Sequence, residues 1–135
     1  MGSRHLLSLM LCAVLPLASA AGLSQTSAFL PADQAFASDV WSEADGHTVA
    51  WTIAPGYYLY GHALAFEIDG QAVAADVPPG TPYHDAHFGE VSIYRDQLFV
   101  TLPAGSDGTE LVIHYQGCAD AGLCYPPQQR RYPLP

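Results

Sequence analysis

The chain has 135 residues, half of them hydrophobic and 13% charged, which is enough for one packed domain and too few for two of ordinary size. Thirteen acidic residues stand against four arginines and no lysine, a formal net charge of −9. A chain this acidic repels phosphate backbones and anionic headgroups, which argues against nucleic-acid binding.

Residues 1–21 read as a cleaved secretory signal peptide. Arg4 supplies the positive start, Leu6 to Leu17 is an almost wholly apolar run, and Ala18-Ser19-Ala20 is a small-x-small cleavage pattern, with cutting after Ala20 or Ala21. Twelve apolar residues span about 18 Å at helical rise, short of the roughly 30 Å hydrocarbon core. Cys12 lies inside the run, but a lipoprotein signal needs a small residue before it and Leu11 is bulky. Cleavage removes Cys12 and leaves two cysteines, an even count, in a compartment where disulfides can form. No later apolar stretch is long enough to span a bilayer, so the expected mature product is soluble.

Residues 22–28 (GLSQTSA) are small and polar, a flexible lead-in, and the domain proper is expected over 29–135. Val49, Trp51 and Ile53 alternate with polar or small neighbours and stop at Pro55-Gly56. Tyr58 and Tyr60, then Leu64, Phe66 and Ile68, continue with period two to Asp69-Gly70. Val91–Tyr94 is a short strand candidate; Leu98, Val100 and Leu102 mark another, and Leu111, Ile113 and Tyr115 a third that runs into Gly117-Cys118. Gln128 to Leu134, flanked by prolines, reads as an edge strand. Val77 to Glu90 has little strand character and reads as a long surface loop, a common place for function. About seven short strands at this spacing, with eleven prolines and twelve glycines and no helical period, predict an all-β fold, an immunoglobulin-like β-sandwich.

Cys118 and Cys124 carry the chemistry. Asp120 and Gly122 between them are turn residues, and a chain that turns back there sets the two sulfurs facing across a hairpin mouth. A structural staple is the plain alternative. Against it, so small a loop constrains the unfolded chain weakly, by about 2.4 kcal/mol, and a staple serves a sandwich better between distant strands. Spacing alone leaves both open.

The run YQGCADAGLCYPP (115–127) resembles the cysteine loop in the N-terminal periplasmic domain of the thiol:disulfide interchange protein DsbD family. FLPADQAF (29–36), GYYLY (56–60) and IYRD (93–96) resemble stretches of the same domain in the same order, so the likeness spans nearly all of the mature chain. The resemblance implies an immunoglobulin-like fold and a periplasmic electron relay. A thioredoxin-like domain of a membrane reductase supplies electrons. The Cys118/Cys124 pair passes them to thioredoxin-fold partners, such as a disulfide isomerase or the thioredoxin-like protein of cytochrome c maturation. It also implies that Cys124 forms the mixed disulfide and Cys118 resolves it. The chain would then be a thiol:disulfide oxidoreductase component needing a separate donor, with the redox-active disulfide itself and no added cofactor.

The family has a cap loop whose phenylalanine covers the disulfide, and Phe88 in HDAHFG (84–89) stands in its place. Ordinary packing of Phe88 is the alternative. Ala86 and His87 stand where relatives carry acidic residues, so an inherited acidic role is not expected, and His87 offers a pH dependence instead. Tyr58 and Tyr60 match family tyrosines near the site, and cross-strand packing accounts for them equally. With no lysine in the chain and Asp120 between the sulfurs, nothing nearby is expected to lower the thiol pKa, which predicts a sluggish free dithiol. A metal site drawn from His84, His87, Cys118 and Cys124 lacks a zinc-like spacing and is not expected. The competing function class is a non-redox immunoglobulin-like binding module with a permanent disulfide. The resembling proteins continue into a membrane domain, whereas this sequence stops at Pro135; the expectation is a stand-alone relay or the product of a split or truncated gene.

Overall fold

Residues 28–135 are described by the computed structural model; the expected leader (1–21) and the lead-in as far as residue 27 lie outside the described residues. One helical turn, α1 (Ala32–Ala35), precedes β1 (Phe36–Glu43), β2 (Gly46–Ile53) and β3 (Tyr57–Tyr60). A 3₁₀ turn (Gly61–Ala63) leads to β4 (Ala65–Ile68), β5 (Gln71–Ala72), β6 (Thr81–Asp85) and β7 (Gly89–Tyr94). The chain ends with β8 (Gln97–Pro103), β9 (Glu110–Tyr115), β10 (Gly117–Ala119) and β11 (Gln128–Pro133).

These strands form three antiparallel ladders, ordered β1-β2-β8, β11-β9-β4-β5 and β10-β3-β7-β6. Period-two patterning explains how the first two meet. Val49, Trp51 and Ile53 of β2 and Leu98, Val100 and Leu102 of β8 point to one side. They pack against Phe66 and Ile68 of β4 and Leu111, Ile113 and Tyr115 of β9 in one buried cluster. Trp51 bridges the layers, with ring centroids 6.2 Å from Phe66 and 5.6 Å from Tyr115. Each such side chain contributes about 1.5–3 kcal/mol by leaving water. The result is the immunoglobulin-like β-sandwich that the strand pattern predicts.

The third ladder carries the site. Its strand β3 is buried on both faces: Tyr57 and Leu59 join the main core, while Tyr58 and Tyr60 join a second cluster with Ile93 and Cys118. The 3₁₀ turn after β3 carries the chain to the neighbouring ladder, splitting what the sequence presents as one alternating run.

Two elements differ from expectation. β1 was not visible as a strand, because only Phe36, Val40 and Trp41 are large and apolar and its far half is exposed. The segment Val77–Glu90 is not wholly a loop, since β6 pairs with β7 in the register Tyr83↔Val91 and Asp85↔Gly89. Its Pro82 hides the strand from propensity reasoning, yet β6 is the edge of its ladder, where a residue without an N–H is tolerated.

Candidate active site on the β3–β10 ladder

β10 lays Gly117, Cys118 and Ala119 against Leu59, Tyr58 and Tyr57. Position 117 has room for glycine alone: an added Cβ would lie 2.3 Å from the Tyr58 carbonyl oxygen and 2.5 Å from Phe36 Cζ. The chain then doubles back. Gly122 takes φ +108°, in the region that favours glycine, and its N–H donates to the Ala119 carbonyl at 3.0 Å. The Ala119 N–H donates to the Leu123 carbonyl at 2.7 Å, and the Asp120 N–H to the Gly56 carbonyl at 2.9 Å. Cys124 thereby returns as the antiparallel partner of Cys118, with Cα atoms 4.0 Å apart and the sulfurs joined. The two sulfurs are not equivalent. Cys118 is 1% exposed on its paired strand, whereas Cys124 is exposed.

Beneath them lies an aromatic floor. The Tyr60 phenolic oxygen is 3.1 Å from Cys118 Sγ and 3.8 Å from Cys124 Sγ, and its hydroxyl donates to Asp85 Oδ2 at 2.5 Å. The Tyr58 ring stands edge-on to Tyr60 at 5.5 Å. Burial and then the bond to Asp85 hold the Tyr60 hydroxyl proton well above the usual phenol range. Asp85 is 4% exposed. Burial pushes its carboxyl up, but the Tyr60 hydroxyl and the His87 and Phe88 amides, at 2.7 and 2.9 Å, outweigh this and leave it below the usual carboxylate range.

Phe88 is the last residue of the turn between β6 and β7 and is 51% exposed. Its ring stands edge-on to Tyr60 at 5.2 Å and beside His62 at 4.7 Å, so it leans on the tyrosine that touches both sulfurs. Ala86 and His87 line the cleft that opens beside Cys124, together with Tyr58, Tyr83 and Asp120.

Arg95, which follows β7, closes the other side of the site. Its guanidinium donates to both carboxylate oxygens of Asp120, at 2.8 and 3.0 Å, and lies 5.2 Å over the Tyr58 ring. The fork holds the Asp120 carboxyl below its usual range. Sequence reasoning weighed only the absence of lysine and the presence of Asp120; the structure adds an arginine, reaching across β3, that pairs the acid the cysteine turn carries. Sequence reasoning also gave no role to Asp85 or His62. The only signal for Arg95 was its place in the run IYRD.

Residues 26–135 match the family described as "Thiol:disulfide interchange protein DsbD, N-terminal". The chain belongs to this family. The DsbD protein of Cronobacter sakazakii is 43% identical over 131 residues, covering 95% of this chain and 23% of that protein. DsbD 2 of Pseudomonas aeruginosa is 46% identical over 115 residues, covering 84% and 19%. The chain thus spans about a quarter or less of the length of these DsbD relatives. The reduced DsbD N-terminal domain of Neisseria meningitidis superposes with a TM-score of 0.71 at 32% identity, covering 78% of this chain and 88% of that one. The same Neisseria domain, in complex with the PilB N-terminal domain, gives 0.67 at 31%, covering 78% and 87%.

Among the described residues no group of three or more His, Cys, Asp or Glu side chains is placed to hold a metal ion. His84 is engaged by Glu90 at 2.6 Å, and both cysteine sulfurs are bound to each other. No described helix is long and apolar enough to cross a membrane.

Proposed function

We propose that this domain is a periplasmic thiol–disulfide relay in which Cys124 meets the partner and Cys118 completes the exchange. The observation that carries the reading is the unequal exposure of the bridged pair, one cysteine buried on a strand and the other exposed in the turn that returns to it. In the reduced domain the Cys124 thiolate attacks a partner disulfide, forming a mixed disulfide and releasing one partner thiolate. The Cys118 thiolate then attacks Cys124 Sγ, forming the 118–124 bridge and releasing the second. Two electrons pass to the partner, and the two thiols it gains take up protons from water. A donor dithiol reverses the sequence by attacking Cys124 Sγ and expelling Cys118 as its thiolate. The Tyr60 hydroxyl, kept protonated and 3.1 Å from Cys118 Sγ, can turn from Asp85 to steady that departing thiolate.

The disulfide is itself the electron carrier. The donor in this proposal is a thioredoxin-like domain of a membrane reductase, and the acceptors are thioredoxin-fold proteins such as a disulfide isomerase or a cytochrome c maturation partner. That the Neisseria relative is solved with a second protein's domain supports a relay by direct docking. Tyr58 and Tyr60 shield the Cys118 side of the pair, and Phe88, leaning on Tyr60, is the side chain that would swing to cover Cys124 between encounters.

A Cys118→Ala variant expressed in the periplasm tests the assignment. It is expected to accumulate a covalent complex through Cys124 with a thioredoxin-fold protein, released by reductant. Only uncomplexed protein, with a wild-type bridge that resists strong thiol buffer, would favour a permanent disulfide in a binding module.

A further inference from the structure

The fork between Arg95 and Asp120 takes no part in the steps above. Side-chain exposures of 39% and 48% make it a solvated ion pair, of a kind that adds little to stability. Its placement matters more. Asp120 lies between the two cysteines, tied through its N–H to the Gly56 carbonyl. The guanidinium covers Tyr58, whose neighbour Tyr60 touches both sulfurs. A carboxylate held there without a partner would oppose each negatively charged sulfur that exchange requires.

We propose that Arg95 is a positioning residue for thiol exchange: it clamps the turn that returns Cys124 to Cys118, and it neutralises the Asp120 carboxylate, which lines the same cleft as Cys124. This rests on the relay reading. The titratable groups facing the pair are Tyr58 and Tyr60 on β3, Tyr83 and Asp85 on β6, His87 in the β6–β7 turn and Asp120 in the cysteine turn. Asp85 keeps its own donors in Tyr60 and two amides whatever happens at Arg95. Removing one member of the fork therefore uncovers the charge of the other.

The test is the pH profile of Cys124 alkylation by iodoacetamide, in which the thiolate displaces iodide. It is read by peptide mass on the reduced full chain at low ionic strength. Arg95→Gln is expected to move the midpoint to higher pH and slow the reaction at pH 7 by about threefold to tenfold. Asp120→Asn is expected to move it the opposite way, because Arg95 is then uncompensated. The double variant should return close to wild type, Arg95→Lys should keep the midpoint, and about 0.5 M salt should shrink every shift.

A clamp without an electrostatic role would move Arg95→Gln and Asp120→Asn in the same direction, since each opens the same fork. That result, or unmoved midpoints in both, overturns the proposal. If Arg95→Gln does not fold, Asp120→Asn decides alone: a midpoint that stays or rises is the negative result. Failure of Cys118→Ala to trap any partner, with these shifts intact, would instead remove the relay and leave the charge compensation standing.

Discussion

Tyr60 joins the two chemistries of the site, a phenol between sulfur and a buried carboxylate. Replacing Tyr60 with Phe removes the donor to Asp85 while keeping the ring, so a 4%-exposed carboxylate is left with two amides. The expected cost is about 1–3 kcal/mol near pH 7. Its pH dependence has a definite sign. A carboxyl whose folded pKa is depressed contributes stability above its unfolded value and loses it as pH falls through the folded one. Urea unfolding of the two proteins should therefore differ most at neutral pH and converge in acid; an equal gap at about pH 3 would mean that Asp85 is not the ionised partner. Cys118, Cys124, Tyr58 and Tyr60 were legible because they crowd two short runs of sequence. Asp85 and Arg95 were not: the first bonds Tyr60 and the second Asp120, each across 25 residues, and nothing local announces either contact.

The β6–β7 hairpin is the element that sets Phe88. Asp85 Oδ1 gathers the His87 and Phe88 amides, and Gly89 at φ +71° turns the chain into β7, so the loop is built rather than slack. If its phenylalanine shields the pair, Phe88→Ala should let the reduced protein react with a small disulfide about threefold faster or more, with little loss of stability because half the ring is already exposed. Stopped-flow oxidation measures this, and an unchanged rate would take Phe88 out of the shield. The hairpin shows where periodicity fails as a guide. Thr81–Asp85 is short, polar and contains a proline, and it is a strand only because β7 offers it an edge. By contrast β2 and β8 alternate because a core faces one side, and the period of two is plain in their sequence.

Over the whole molecule, the disulfide lies apart from most of what holds the sandwich together. Trp51, Leu98, Leu111 and their neighbours form the main cluster, and Cys118 belongs to the smaller one. Reduction should therefore lower stability by only about 2.4 kcal/mol, the chain-entropy value for so short a loop, and leave the far-ultraviolet dichroism unchanged. Unfolding on reduction would make the bridge a structural staple. The sandwich was readable from alternation alone, whereas the grouping of strands into three ladders was not, since it depends on pairings such as β4 with β9 that no local pattern encodes. The double-sided strand β3 has one more consequence. Slipping it a single residue against β10 would set Leu59 beside Cys118 and drive the hydroxyls of Tyr58 and Tyr60 into hydrocarbon. Assembly thus proofreads the site: a chain with its sulfur floor out of register forfeits its interior too, and so does not hold the fold at all.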